Sequence, residues 1–169
     1  MNRGPARPLT ARQRFDHVCG LLTHAGFDIV PPTREPTGFV LHHPPERGSW
    51  RLRASIPGSL TAYVELFETL DTRQSRSEPR QTYEYLIHLD LGEEPGRNVS
   101  FHQDRSKPPH LLYHWHDYCD GARRSTPQPM GPVKLRWLLE AAFLLLAEPR
   151  RPVPDLLARL PPPGPGDPR

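Results

Sequence analysis

The stretch Trp50-Arg51-Leu52-Arg53-Ala54-Ser55-Ile56-Pro57-Gly58-Ser59-Leu60-Thr61-Ala62-Tyr63-Val64-Glu65-Leu66 decides the fold class. Its first half alternates. Trp50, Leu52, Ala54 and Ile56 fall on one side, Arg51, Arg53 and Ser55 on the other. Successive side chains of an extended chain point to opposite faces, so period two means a strand with one face buried. Pro57-Gly58-Ser59 is a turn of hairpin size. The alternation resumes over Leu60–Leu70, with Leu60, Ala62, Val64, Leu66 and Leu70 opposite Tyr63, Glu65 and Phe67.

Working outward, the same rhythm returns twice. In Gln81–Leu91, Tyr83, Tyr85, Ile87, Leu89 and Leu91 share a side, with Glu84, Leu86, His88 and Asp90 on the other. In Arg97–Asp104, Val99 and Phe101 face inward, and Ser100, His102 and Asp104 face away. Gly38–His42 is a further short strand candidate. Short turns link the runs, which predicts an antiparallel meander. Helical spacing appears near the two ends. Phe15, Val18, Cys19 and Leu22 form a stripe within Thr10–Ala25, with Thr10 and Gln13 as a capping box. Leu135, Leu138, Leu139, Ala142, Phe143 and Leu146 form another within Pro132–Ala147.

The expected fold is therefore α+β: one antiparallel sheet of four or five strands, packed by an N-terminal and a C-terminal helix. The expected domain spans residues 9–147 of 169. Residues 1–8 and 148–169 are rich in Pro, Arg and Gly and read as disordered tails. Pro161–Pro165 is a possible ligand segment for a partner protein.

Composition limits the functions. The net charge of +3, from 22 basic and 19 acidic residues, permits nucleic acid as a partner without requiring it. Two cysteines, Cys19 and Cys119, make neither a disulfide framework nor a zinc ribbon. The apolar run Trp137–Ala147 contains Glu140 and is too short to span a bilayer. With no apolar leader visible, a cytoplasmic protein without membrane contact is expected. Nucleophile elbows, phosphate-binding glycine loops and zinc-finger spacings do not occur.

The chemistry gathers in Phe101–Cys119, which holds four of the nine histidines. His114 and His116 are two apart, so on a strand both project from one face, roughly 7 Å apart at Cα. His102 and Asp104 repeat that relation on the preceding strand. If the two strands pair, the couples meet. Histidine titrates near neutrality, so one ring can act as base while another acts as acid. RNA cleavage needs such a pair, plus a cation for the phosphate. Arg105 and Lys107 lie in the connecting loop, which Pro108 and Pro109 stiffen. The candidate catalytic residues are thus His102, Asp104, His114 and His116, with Arg105 and Lys107 on phosphate. The same set offers three imidazoles, or two and a carboxylate, to a divalent metal. The alternative to an enzyme is a protein-binding or metal-binding module in which the histidines are structural.

The order of these features resembles the TumE-type toxins of bacterial toxin–antitoxin modules. A strand reaching Glu68 is followed by Tyr83-x-Tyr85, then by a strand ending in Asp104. Pro109-His110, His114-x-His116 and a closing helix come next. The resemblance covers residues 50–147. It departs where His102-Gln103 precedes Asp104 in place of an arginine, and where Leu111 follows His110 in place of a second histidine. The resemblance implies growth inhibition, an RNA target, a cognate antitoxin as partner, and Asp104, His110, His114 and His116 as site residues.

Overall fold

The computed structural model describes residues 10–30, 43–46, 48–59, 61–70, 80–92, 96–118 and 126–161. Helix α1 (Ala11–His24) opens on the capping box expected of Thr10 and Gln13. The Thr10 hydroxyl accepts from the Gln13 amide at 3.2 Å, and the Thr10 amide donates to Gln13 Oε1 at 2.9 Å. Strands follow: β1 (Asp28–Ile29), β2 (His43–Glu46), β3 (Ser49–Ser55), β4 (Tyr63–Leu70), β5 (Arg80–Leu89), β6 (Arg97–Gln103), β7 (Tyr113–Tyr118) and β8 (Gln128–Pro129). A single 3₁₀ turn, Pro109–Leu111, precedes β7. Helices α2 (Leu135–Ala147) and α3 (Val153–Leu157) close the chain.

All strands pair antiparallel, in the spatial order β1-β3-β4-β5-β6-β7-β8, with β2 also on the outer edge of β3. The meander expected from the alternating runs is its centre. The expectation of four or five strands is too low, because β1, β2 and β8 cap the edges. Runs of two to four residues are too short to show a period. The strand expected over Gly38–His42 lies outside the described residues, as do residues 1–8 and 162–169.

One face of the sheet is the core. Trp50, Leu52, Ala54, Val64, Leu66, Tyr85, Ile87, Val99 and Phe101 are buried there. Phe15 of α1 meets Trp50 edge-on at 5.7 Å, and Trp137 of α2 meets Phe101 at 5.5 Å, so both long helices cover that face. A polar group is set into it. Glu68 is 0% exposed, accepts from Arg14 Nε and Nη2 at 3.1 and 2.9 Å, and takes the Tyr85 hydroxyl. Burial pulls against the Arg14 charge, but the carboxylate more than offsets it, so Arg14 holds its proton more tightly than usual. Cys19, on the inner stripe of α1, behaves as the core residue its spacing suggests. Burial pushes its thiol up, away from the reactive thiolate.

Residues 148–161 are not the tail that their proline content suggests. Val153 and Leu156 are buried to 0% and 1% exposure, each contributing about 1.5–3 kcal/mol of burial. The prolines start the helix instead of preventing it, with Pro152 at the N-cap of α3 and a further Pro in the first turn. Arg97 then supplies donors to this segment from the sheet. Its Nη1 donates to the Pro149 and Arg151 carbonyls at 2.7 and 2.8 Å. Trp137 Nε1 holds the last described residue through the Pro161 carbonyl at 2.9 Å.

No α-helix packs against the opposite face among the described residues, and its side chains form three rows across five strands. The strand register places Ser55, Tyr63, His88, Asn98 and Tyr118 in the first row. The second is Arg53, Glu65, Leu86, Ser100 and His116. The third is Arg51, Phe67, Glu84, His102 and His114.

Candidate active site

The histidines converge where the second and third rows cross β6 and β7. β6 pairs with β7 so that His102 lies opposite His114 and Ser100 opposite His116. Directly opposed residues hold their Cβ atoms within about 5.5 Å. The three rings form a compact set. His102 and His114 stack at 5.1 Å with only 8° between their planes. His116 stands edge-on to both, at 5.3 and 5.1 Å and near-perpendicular angles. Tyr118 stacks on the far side of His116 at 5.6 Å.

Each ring is fixed by something specific. His102 Nε2 lies 2.8 Å from the Ser100 hydroxyl, two residues back on the same strand. His114 is 2% exposed, and its Nδ1 lies 2.7 Å from the Leu111 carbonyl. His116 is also buried, whereas His102 is half-buried and faces solvent in part. His102 is thus the most exposed of the three rings.

The loop between the two strands closes over one end. The Asp104 amide donates to the Leu112 carbonyl at 2.9 Å, and the Leu111 amide donates to the Pro108 carbonyl at 2.8 Å. Asp104 lies one residue past β6, in the turn, and so is not part of the strand face it was expected to share with His102. Its Oδ1 accepts from the Ser106 hydroxyl at 2.6 Å and the Ser106 amide at 2.9 Å. These bonds, the hydroxyl first, hold the Asp104 carboxyl below its ordinary 3.8, with smaller help from Lys107 and His114. Arg105 and Lys107 project from this loop and are exposed. His110 sits exposed in the 3₁₀ turn and joins none of the ring contacts of the cluster.

The pairing thus unites His102, His114 and His116, places Asp104, Arg105 and Lys107 on the adjoining loop, and leaves His110 outside. His88 does share the face, but in the first row. It stacks on Tyr63 at 4.6 Å, and its Nδ1 lies 2.8 Å from Asn98 Oδ1. Two neighbours of the cluster were not named as site residues from the sequence. Ser100 contacts His102, and Glu84, exposed on β5, lies directly across from it. Both follow from the same period of two once β5, β6 and β7 are known to be adjacent. Asp117, next to His116, points to the core face and is taken by Arg97. Among the described residues, no three His, Cys, Asp or Glu side chains converge with geometry for a metal ion.

The bonding of Asp104 makes a pH prediction. A carboxylate whose pKa is depressed in the fold stabilises it fully above its unfolded value and loses that contribution as pH falls through the lowered one. The Asp104–Ser106 turn should therefore persist at pH 4 and open only below 3.8. Carboxyl carbon shifts followed by NMR across that range check this. Ser106→Ala should return the Asp104 titration towards its ordinary position.

The fold and site define an α+β protein whose helix-free sheet face carries a packed histidine trio beside a basic turn. No protein-family model, curated protein or solved structure matches the chain. Among the described residues, no helix is long and apolar enough to cross a membrane.

Proposed function

We propose that this face cleaves RNA, in the manner of a growth-inhibiting toxin, with the histidine trio as its acid–base centre. The observation that supports the reading most is the stacked pair His102–His114, 5.1 Å apart, with His116 against both. Rings held this close can serve one substrate together, one accepting a proton while its neighbour gives one.

The reaction follows from those two rings. A neutral ring takes the proton of a ribose 2′ hydroxyl. The 2′ oxygen then attacks the adjacent phosphorus, and the bond to the 5′ oxygen breaks as a protonated ring donates to it. The products are a 2′,3′-cyclic phosphate and a free 5′ hydroxyl, and the protein ends with its proton moved from one ring to the other. Arg105 and Lys107 lie where a phosphate passing over the turn meets positive charge. In a toxin–antitoxin arrangement, the partner would be an antitoxin protein covering this face.

The test uses purified full chain and a DNA oligonucleotide carrying one ribose. Cleavage should occur only 3′ to that ribose and should leave a cyclic phosphate. Expression of the wild type should slow growth, and the pair His114→Ala and His116→Ala should relieve it while the protein remains folded. An intact oligonucleotide together with unchanged growth inhibition by the double variant would remove both the reaction and the site. Binding without cleavage would favour the non-enzymatic reading.

A further inference from the structure

The hydrogen bond at His114 allows the roles to be divided. A carbonyl oxygen has no proton to give, so the 2.7 Å contact between His114 Nδ1 and the Leu111 oxygen requires the hydrogen to sit on Nδ1. In the neutral ring the lone pair must then be on Nε2. A buried ring at 2% exposure has no water with which to exchange that arrangement freely. We infer that the Pro-stiffened turn, acting through the Leu111 carbonyl, fixes His114 in one tautomer and thereby makes its Nε2 the general base of the site. This rests on the RNA-cleaving reading for its substrate, but the tautomer itself stands on geometry alone.

Three features of the turn support the assignment. Leu111 ends the 3₁₀ turn that begins at Pro109, and the peptide that carries its carbonyl has its N–H, that of Leu112, bound to the Pro109 carbonyl at 3.3 Å, so that peptide cannot rotate without breaking the turn. The two prolines restrict the backbone before it. Asp104 and Ser106 staple the other limb, and Asp104 closes the loop through Leu112. At His102 the Nε2 contact is the Ser100 hydroxyl, which can give or accept, so this bond forms with Nε2 bare or protonated and the ring suits the acid role. Leu111, Pro108 and Pro109 are positioning residues; the catalytic residue is His114.

The test is nitrogen-15 NMR of the labelled full chain at about pH 8, where histidine is neutral. His114 should show a protonated Nδ1 and a bare Nε2. The exposed His110 provides the internal reference for an unconstrained ring. A protonated Nε2 at His114 overturns the inference.

Two variants extend the test. His114→Asn keeps an N–H near the Nδ1 position and removes Nε2. The Ser106 amide signal should stay in place while RNA cleavage falls by at least about a hundredfold. Retained cleavage removes His114 as base. Pro108→Gly with Pro109→Gly should mix the His114 tautomers and lower kcat roughly tenfold with little change in KM. An unchanged tautomer in that variant denies the turn its positioning role. Should the wild type show the expected tautomer yet cleave no RNA, the RNA reading falls and the fixed ring remains.

Discussion

Replacing Arg97 by alanine should cost about 3–5 kcal/mol, because the guanidinium is buried and every contact it makes is lost at once. Arg97 is 2% exposed. Its Nε and Nη2 form a fork on Asp117 at 3.1 and 2.7 Å, and Nη1 serves the carbonyls of Pro149 and Arg151. A planar fork with donors to spare is something lysine cannot copy, so Arg97→Lys should recover only part of the loss. A chain of this size should show a melting temperature lower by roughly 6–20 °C for the alanine variant. Hydrogen exchange locates the damage. Protection should disappear first over Val153–Leu157, whose segment is tied to the sheet through this arginine. A loss below about 1 kcal/mol would mean that water replaces the guanidinium without cost. The consequence reaches the site, because Asp117 lies next to His116 on β7. Freed from Arg97, that strand loses an anchor on its core side.

What the sequence made legible follows from which interactions have a period. The four alternating runs became β3 to β6 because burial on one side imposes period two, and the inward residues named from that pattern whose burial is described are buried, except Leu91 past the end of β5, which is half-buried. The two amphipathic helices were legible for the same reason at a longer period. The histidine cluster was legible only conditionally. Alternation puts His102 on one face of its strand, and His114 with His116 on one face of theirs. The pairing that sets His102 opposite His114 depends on the length of the turn between them. Asp104 was misplaced by one step: the strand ends at Gln103, and the next residue belongs to the turn. The C-terminal segment was misread because proline counts say nothing about a distant arginine. Arg97 lies 52 and 54 residues from the carbonyls it binds, and no local pattern carries that information. Likewise, Glu68 reads as an ordinary polar end of a strand until Arg14 and Tyr85 are placed around it.

Removing His102 and His114 singly and together should show that they work as one unit. If they are acid and base of the same step, each alanine variant should lower kcat/KM for a single-ribose substrate by about 10²–10⁴. The double variant should be little worse than the poorer single one, since the second ring has no partner left to serve. Independent contributions would multiply instead, and a double variant slower by the product of the two losses would show that the rings do not act in one step. Stability separates this from mere packing. His102 is half-buried, so its truncation should change stability only slightly. His114 is buried against the Leu111 carbonyl and should cost about 1–3 kcal/mol. Activity losses that track those unequal stabilities would mark the cluster as structural. Equal activity losses from a half-exposed and a buried ring require shared chemistry. The stacked geometry favours that outcome, because the ring that stands over His114 is the one that solvent, and hence a substrate, can reach.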